Sequence, residues 1–267
     1  MNRVICFGYF GGKSSHLNFI LPNLPKCRHY VEPFGGSAAV LLNREPSPIE
    51  TYNDISGDLV NFFRVLRDRG SELREKLELT LYSREEFRRA MEPCEDELER
   101  ARRFYVRILQ SFGSQISGRS WRPTKAGKHS KGCLVWLNHI SRLIETTTRI
   151  RSVQIEHLNA LECIRKYDSP DTLFYCDPPY VWDFQDNKFQ DDYGIAHSVA
   201  DAAVLARLLH SIQGLAAISN YAGVYDDLYH DWRRLEDKPK ISPAAFVNRA
   251  IRQEILWCNY DAEGKRL

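Results

Sequence analysis

The strongest constraint on the fold of this chain is a short apolar strand that two consecutive prolines bring to an end. Residues 173–176 form an uninterrupted apolar run, Leu-Phe-Tyr-Cys, which is typical of a buried strand. Pro178 and Pro179 cannot continue a strand ladder, so the chain must leave the sheet there in a stiff, extended form. Asp177 and Tyr180 flank these prolines. The sequence therefore predicts a carboxyl group, a backbone carbonyl and an aromatic ring at the carboxyl edge of a sheet, where open α/β sheets bind ligands.

Segments with a strand pattern alternate with segments of helical spacing along the chain. Strands are predicted over residues 29–32, 49–52, 153–156, 173–176, 215–219 and 252–258. Helices are predicted over residues 38–43, 56–69, 97–109, 134–148, 159–166 and 199–212, and a capping box at residues 83–86 opens another. This alternation predicts an α/β fold built on a mostly parallel sheet.

Bulk composition excludes several classes of protein. The chain has 267 residues, of which 43% are hydrophobic, so a sizeable core is expected. No apolar run approaches the roughly 18 residues that span a bilayer, and the first residues lack the apolar stretch of a signal peptide. The seven cysteines include no CxxC pair, which favours neither a zinc site nor a disulfide framework. We therefore expect a cytoplasmic protein that needs no metal.

Positive charge is concentrated in the middle of the chain. Residues 101–151 contain eleven basic residues and one acidic residue, Glu145, so this segment carries +10 while the rest carries −8 within a net charge of +2. Such an excess is expected for a protein that binds a polyanion, although a solvated surface or a mobile loop is the alternative interpretation. Residues 113–132 are dominated by Gly, Ser, Lys and Arg and predict a long exposed loop.

A glycine-rich turn and an acidic residue form a second candidate site. The run Glu-Pro-Phe-Gly-Gly-Ser-Ala at residues 32–38 follows a predicted strand and opens a helix, so backbone can approach a ligand closely, although the spacing is not GxGxxG. Asp54 ends the next strand about 20 positions later, where a carboxylate can accept both hydroxyls of a ribose. Asp54 can also belong to the cap region of the helix that begins near Ser56, and the two roles can coexist.

The N-terminal segment contains a further glycine turn. Residues 7–14, Phe-Gly-Tyr-Phe-Gly-Gly-Lys-Ser, differ from a phosphate-binding P-loop because Phe7 stands where the first glycine is required. A Gly-Gly turn that presents Tyr9 and Lys13 to a ligand pocket fits better, and a plain surface turn is the alternative. The histidines have no partner constellation in the sequence, so packing is the expected role of His139, His157 and His197.

Four motifs, taken in order, resemble one protein family. They are Tyr-Phe-Gly-Gly-Lys at 9–13, Glu-Pro-Phe-Gly-Gly-Ser at 32–37, Asn-Asp-Ile-Ser-Gly-Asp-Leu-Val at 53–60 and Tyr-Cys-Asp-Pro-Pro-Tyr at 175–180, with the basic segment between the third and the fourth. In this order they resemble the Dam-type (D12 class) DNA adenine-N6 methyltransferases, and the likeness covers residues 7–260. The resemblance implies S-adenosylmethionine as cofactor, double-stranded DNA as partner and a Rossmann-like methyltransferase sheet with helices on both faces.

The resemblance also implies roles for individual residues. Asp177 and Pro178 match the acceptors for the target amino group, and Tyr180 matches the ring that stacks on the extruded adenine. The matching cofactor-binding positions are Tyr9, Lys13, Phe34, Gly36, Asp54, Asn159 and Asp177. A mainly helical or irregular, basic target-recognition subdomain is implied between the motifs. Within the basic segment, we expect Arg119, Trp121, Arg122, Lys125 and Lys128 to lie on a loop near the duplex. The implied division is 1–80 for cofactor binding, 81–151 for target recognition and 152–267 for catalysis.

Two residues depart from the family pattern, and other acceptors stay open. Ala38 stands where the family's glycine-rich loop has its last glycine, and Asn159 with Ala160 stands where the family often has Asp-Phe. Related tetrapeptides occur in N4-cytosine and glutamine methyltransferases, so cytosine, RNA adenine or a protein glutamine is an alternative acceptor. A degenerate methyltransferase domain retained for DNA binding is the non-enzymatic alternative.

Overall fold

A computed structural model of the chain describes residues 3–9, 12–111, 120–123, 132–180, 197–241 and 251–267. Its strands are β1 His29–Glu32, β2 Ile49–Asn53, β3 Gln154–Glu156, β4 Thr172–Cys176, β5 Leu215–Asn220, β6 Arg233–Glu236, β7 Lys240–Ile241, β8 Ile251–Arg252 and β9 Ile255–Cys258. Its α-helices are α1 Leu17–Ile20, α2 Ala39–Asn43, α3 Gly57–Glu78, α4 Arg84–Arg89, α5 Glu97–Gln110, α6 Gly132–Ile150, α7 Ala160–Tyr167, α8 Val199–Ser211 and α9 Val224–Leu228. Short 3-10 helices lie at Lys13–Ser15 and Leu21–Asn23.

A seven-stranded sheet organises the fold in the order β3-β2-β1-β4-β5-β9-β6. β1 pairs in parallel with β2 on one side and with β4 on the other, so that Val31 lies opposite both Thr51 and Phe174. β9 runs antiparallel to β5 and to β6. The strand order therefore reverses between β1 and β4. At such a switch point the loops that follow the two strands separate and leave a crevice for a ligand.

Each face of the sheet is covered by its own apolar core. Leu173 and Tyr175 of β4 pack in the core that includes α3, α5 and α6, whereas Phe174 and Cys176 pack in the core that includes α7, α8 and α9. This division follows from the alternation of side chains along a strand. Helices on both faces of a mostly parallel sheet confirm the predicted Rossmann-like α/β class. None of the described helices is both long enough and apolar enough to cross a lipid bilayer.

Helix starts follow the capping signals of the sequence. The side chain of Ser56 accepts the N–H of Leu59 at the start of α3, and the side chain of Ser83 accepts the N–H of Glu86 at the start of α4. The second bond confirms the predicted capping serine. α3 continues to Glu78, beyond the predicted end at residue 69, and Arg69 interrupts it with a non-helical φ of −133°.

The C-terminal part of the sheet differs from the prediction. The single strand expected over residues 252–258 is divided, because Ile251–Arg252 pairs with β7 while Ile255–Cys258 joins the main sheet. The division falls at Gln253 and Glu254, whose polar side chains interrupt the apolar run. β6 was not predicted because its sequence, Arg-Arg-Leu-Glu, is that of a charged edge strand without a strand pattern. The short elements β7 and α9 carry no periodic signal either.

Candidate active site

The loops that follow β1, β2, β3 and β4 converge on a pocket of about 330 Å³ at the carboxyl edge of the sheet. The structure brings together there all nine predicted cofactor-binding and catalytic residues: Tyr9, Lys13, Phe34, Gly36, Asp54, Asn159, Asp177, Pro178 and Tyr180. The volume lies in the range of small-molecule sites. The individual roles of these residues stay predictions. Those roles require the residues to lie close together, and the structure places all nine in one concave site.

The glycine-rich turn after β1 is shaped by the neighbouring strand β2. A Cβ atom on Gly35 would lie 2.1 Å from the buried ring of Tyr52, so only glycine fits beside that ring. The hydroxyl of Tyr52 donates to the carbonyl oxygen of Gly36 at 2.8 Å and ties the turn to β2. Gly36 and Ala38 both have left-handed φ values, +49° and +55°. A non-glycine residue in that region costs roughly 1–2 kcal/mol. This cost explains why the family pattern has a glycine where this chain has Ala38. Ala38 keeps the turn at the cost of this strain.

Asp54 follows β2 and faces the same turn. Its Oδ2 accepts the N–H of Gly36 at 2.9 Å, and its Oδ1 accepts the N–H of Ser56 at 2.8 Å. Burial raises the pKa of the Asp54 carboxyl, and these backbone donors oppose the rise. The N-cap of α3 is Ser56, so Asp54 braces the cap region without capping the helix itself. A carboxylate has about four acceptor positions, so both oxygens keep capacity for ligand hydroxyls.

Asn159 follows β3 and caps α7. Its Oδ1 accepts the N–H of Leu161 at 2.9 Å, so the helix predicted from residue 159 begins one residue later, at Ala160. Because the cap uses Oδ1, the NH2 group of this side chain is the part that can bind a ligand. An NH2 donor at the pocket wall suits a ring nitrogen of a nucleobase.

Asp177 leaves β4 with its carboxylate held through a single oxygen. Lys13 Nζ lies 2.6 Å from Asp177 Oδ1, and the hydroxyl of Ser219 lies 3.3 Å from the same atom. Within the described ranges, no donor reaches Asp177 Oδ2 or the carbonyl oxygen of Pro178. Burial raises the pKa of the Asp177 carboxyl to about 6, and the charge of Lys13 opposes this rise. The proline corner therefore presents two acceptors with unused capacity.

Tyr180 is fixed at both its ring and its hydroxyl. The ring stacks on Tyr221 with centroids 4.3 Å apart and planes inclined by 8°. The hydroxyl accepts a hydrogen bond from Lys13 Nζ at 2.8 Å and donates to Glu254 Oε2 at 3.2 Å. Although burial opposes it, the carboxylates of Asp177 and Glu254 hold the pKa of Lys13 well above its usual range. Lys13, predicted to bind the cofactor, is thus also the cation that contacts both Asp177 and Tyr180 at the proline corner.

Three residues of this corner were not found from the sequence. Ser219 and Tyr221 lie at and just beyond the end of β5, which neighbours β4 in the sheet. The adjacency of two strand ends is the signal that points to them. Glu254 precedes β9 and its side chain is 1% exposed. Its only local signal is a charged residue directly before an apolar strand.

Two further titratable groups line the pocket. Burial raises the pKa of Glu32 to about 8, against a hydrogen bond that its carboxyl accepts from the hydroxyl of Tyr30. His197, for which packing is expected, lies in the pocket wall, where burial lowers its pKa. Its Nε2 is buried and has no hydrogen-bond partner in the described part of the chain. No group of three or more His, Cys, Asp or Glu side chains that could hold a metal ion occurs among the described residues.

The predicted DNA-contacting residues are only partly described. Arg119, Lys125 and Lys128 lie outside the described residues, as does most of the loop predicted over 113–132, while Gly132 already begins α6. Trp121 bridges back to α5: its indole N–H donates to Gln110 Oε1 at 3.3 Å. The guanidinium of Arg122 donates to the carbonyl oxygen of Leu109 at 3.2 Å. Their contact with DNA stays a prediction.

The positive charge of residues 101–151 is partly neutralised by acids from elsewhere in the chain. Among the basic residues that the structure describes, four have acidic partners outside the segment: Arg102 pairs with Glu86 and Glu99, Arg103 with Glu99, Arg107 with Asp58 and Arg149 with Glu50. The sequence count of +10 therefore overstates the charge available to a polyanion, because it ignores contacts between distant segments. Arg142 and Arg151 are exposed and have no acidic partner among the described residues.

The comparison with known families agrees with the geometry of the pocket. The family model of the D12 class N6 adenine-specific DNA methyltransferases matches residues 9–240. No curated protein matches the chain. Since the family match spans most of the sequence, the chain belongs to the D12 class N6 adenine-specific DNA methyltransferase family and is a methyl-transferring enzyme that acts on DNA adenine. The predicted family is confirmed.

Proposed function

We propose that the pocket binds S-adenosylmethionine and that the proline corner directs its methyl group to the N6 atom of an adenine rotated out of double-stranded DNA. The observation that carries this proposal is the pair of acceptors at Asp177 and Pro178. The carboxylate is anchored through Oδ1 by Lys13 and Ser219, so Oδ2 and the proline carbonyl are available at the pocket.

The pocket fits the cofactor in the chemistry of its donors and acceptors. Asp54 would hold the ribose hydroxyls, because its carboxylate is fixed by two backbone N–H groups and keeps acceptor capacity. Phe34 and Gly36 would line the methionine and adenosine path, and the NH2 group of Asn159 would meet an adenine ring nitrogen. When bound, S-adenosylmethionine supplies an electrophilic methyl group to the site.

The two acceptors address the weak nucleophilicity of the adenine amine. Its lone pair is delocalised into the purine ring, so the nitrogen must become more tetrahedral before it can attack. Asp177 Oδ2 and the Pro178 carbonyl oxygen would each accept one amino hydrogen and hold the nitrogen in that geometry. Positive charge develops on the nitrogen during the transfer, and preorganised acceptors stabilise charge at such a position.

Asp177 would also take the surplus proton. The N6 atom gains a methyl group and then holds one hydrogen too many, so it must release a proton to give the neutral product. Asp177 Oδ2 can accept this proton and pass it to solvent, since a pKa of about 6 lets the carboxyl both bind and release it near neutral pH. No proton needs to leave before the methyl group is transferred.

Rotation of the adenine out of the duplex is supported by the stacked rings of Tyr180 and Tyr221, of which Tyr180 lines the pocket. Extrusion costs a few kcal/mol of stacking and pairing. Stacking of a base on an aromatic side chain returns about 1–3 kcal/mol. Tyr180 is already stacked on Tyr221, so its orientation is fixed before the base arrives.

The test is product analysis with matched variants. Purified protein, labelled S-adenosylmethionine and unmethylated plasmid DNA should give labelled N6-methyladenine after digestion to nucleosides. Asp177→Asn should reduce the rate at least about 100-fold, the size expected for one lost preorganised contact. Asp227→Asn, at an exposed aspartate of α9, is the control and should leave the rate unchanged. Label in N4-methylcytosine, label only with RNA as substrate, or full activity of the Asp177 variant would each contradict the proposal.

A further inference from the structure

Glu254 belongs to the catalytic corner although it lies outside the segment matched by the family model. The match ends at residue 240, whereas Glu254 directly precedes β9 in the C-terminal part of the sheet. Its backbone is fixed there, since its carbonyl oxygen accepts the N–H of Asp237 at 2.9 Å. Its side chain is 1% exposed, so Glu254 does not act as a solvated charge on the protein surface.

The contacts of Glu254 are made with functional residues of the site. Oε2 accepts a hydrogen bond from the hydroxyl of Tyr180 at 3.2 Å, and Oε1 lies 3.3 Å from Lys13 Nζ, which is an ion pair without hydrogen-bond geometry. Lys13 in turn reaches the Tyr180 hydroxyl and Asp177 Oδ1. Lys13, Tyr180 and Glu254 therefore form a closed triangle of polar contacts, and Asp177 is attached to it through Lys13.

The triangle contains one cation and, with Asp177, two carboxylates. If Lys13 faced Asp177 alone, its full charge would draw electron density from the carboxylate that must accept the amine. Glu254 competes for the same ammonium group from a second direction. A buried carboxylate is costly unless it is paired, so Glu254 at this position needs a reason beyond packing.

We propose that Glu254 is a positioning residue for methyl transfer: it holds Lys13 and Tyr180 in place around Asp177 and offsets the charge of Lys13, so that Asp177 remains an effective acceptor. This inference rests on the proposed function of the Asp177–Pro178 corner and extends it. It assigns a role in catalysis to the C-terminal strand pair, which brings Glu254 to the site from beyond the matched segment.

The inference has a consequence for the pH dependence of the reaction. The titratable groups that act on Asp177 or respond to its charge come from several elements: Lys13, Glu254, Glu32, Tyr175, Cys176, Tyr180 and Tyr225. The tyrosine pKa values are raised, so these side chains stay neutral near pH 7. The negative charge of Glu254 raises the pKa of Asp177 and Lys13 lowers it. Loss of the Glu254 charge should therefore let Asp177 ionise at a lower pH.

The experiment compares Glu254→Gln, Glu254→Asp and the wild type in single-turnover methylation of unmethylated plasmid DNA between pH 4.5 and 8.5. Glu254→Gln keeps the shape and removes the charge. We expect its acid limb to move to lower pH and its plateau rate to fall about tenfold or more, as for a weakened proton acceptor. Glu254→Asp keeps the charge and shortens the reach, so its acid limb should stay at the wild-type pH while its plateau rate falls.

Controls separate this role from simple stability. Glu236→Gln removes an exposed acid from the neighbouring strand β6 and should match the wild type in rate and pH profile. Thermal unfolding and calorimetric binding of S-adenosylmethionine report whether each variant is folded. A lowered unfolding temperature with an unmoved acid limb and plateau in Glu254→Gln would overturn the inference, as would a wild-type profile in both variants. A wild type that forms no N6-methyladenine would instead overturn the proposed function.

Discussion

Carboxylates in two regions of the molecule have pKa values that are shifted in opposite directions. In the helical region, Glu99 accepts hydrogen bonds from Arg102 and Arg103, and these hold its pKa at about 2. Asp58 is paired with Arg100 and Arg107, and although burial opposes them, these partners lower its pKa. At the pocket, Asp177 and Glu254 share one cation among the described residues, that of Lys13, and burial raises the pKa of Asp177 to about 6.

The difference is one of charge compensation. Asp58 and Glu99, which connect helices, each pair with two arginines, so their negative charge is balanced within the fold. The carboxylates at the pocket have less than one cation each, so Asp177 keeps acceptor capacity for a ligand. Perturbed pKa values of this kind are typical of functional sites, whereas lowered values in arginine networks are typical of structural ones.

Removal of Lys13 should give the largest effect. Lys13→Met would leave Asp177 and the buried Glu254 without a counterion among the described residues, and breaking a buried pair in this way costs about 3–5 kcal/mol. The pKa of Asp177 should then rise above 6. A raised pKa in the folded state means that stability is present at low pH and is lost as the pH rises through that value. The loss measured by urea unfolding should therefore be larger at pH 8 than at pH 5, and methylation should fall at least about 100-fold.

The control for Lys13 is Arg149, which pairs with the buried Glu50. Neither of these two residues lines the pocket. Arg149 NH2 lies 2.8 Å from Glu50 Oε1, and the Glu50 side chain is 2% exposed. Arg149→Met should lower stability by less than Lys13→Met does, because Arg44 also pairs with Glu50, and it should leave the rate per folded molecule unchanged. Equal losses of rate in both variants would mean that the corner is not functionally distinct from a structural ion pair.

A structural carboxylate should behave differently from Asp177 when its charge is removed. Asp58→Asn should cost about 1.5–3 kcal/mol, the range for hydrogen bonds to charged groups. Because the pKa of Asp58 is lowered, its contribution is present above the usual carboxyl pKa and is lost only as the pH falls through its lowered value. Urea unfolding should therefore give the same loss at pH 8 and at pH 6, with normal methylation. A loss that appears only at the higher pH would contradict this view of Asp58.

The smallest effect is expected in the salt dependence of DNA binding. Each phosphate contact changes log K by about −0.9 per unit of log salt concentration. Arg142 is exposed and has no acidic partner among the described residues, so Arg142→Ala should reduce the slope by about one unit. Arg107 is engaged by Asp58, so Arg107→Ala should leave the slope unchanged. The opposite pattern in a fluorescence-anisotropy titration would show that the ion pairs of α5 open when DNA binds.

Most of the sheet and the pocket could be predicted because their signals are local. An apolar run that ends in Asp177-Pro178-Pro179-Tyr180 marks a strand and its edge, and the parallel order brings such ends together. Glycines at a strand–helix turn mark a place where Tyr52 leaves no room for a Cβ atom. In each case the residue types that mark the feature stand next to one another in the sequence, even where the contact that requires them comes from a neighbouring strand.

The residues that were missed depend on contacts between distant segments. Glu254 meets Lys13 across more than two hundred residues, and no spacing rule connects them. The acids that neutralise Arg102, Arg107 and Arg149 also lie outside the basic segment, so a count of charge along the chain could not reveal them. β6 was not predicted because three of its four side chains are charged. Its strand conformation depends on pairing with β9, which the sequence of β6 does not indicate.

The central claim is that the Asp177–Pro178 corner receives the adenine amine beside the methyl donor. A crystal structure with bound S-adenosylhomocysteine tests it most directly. With the methyl carbon and the amine about 3–3.5 Å apart and the amine hydrogen-bonded to the corner, the sulfur should lie within about 8 Å of Asp177 Oδ2. A cofactor bound outside the pocket, or a sulfur atom more than about 12 Å from Oδ2, would contradict the account, because the amine could not then reach both.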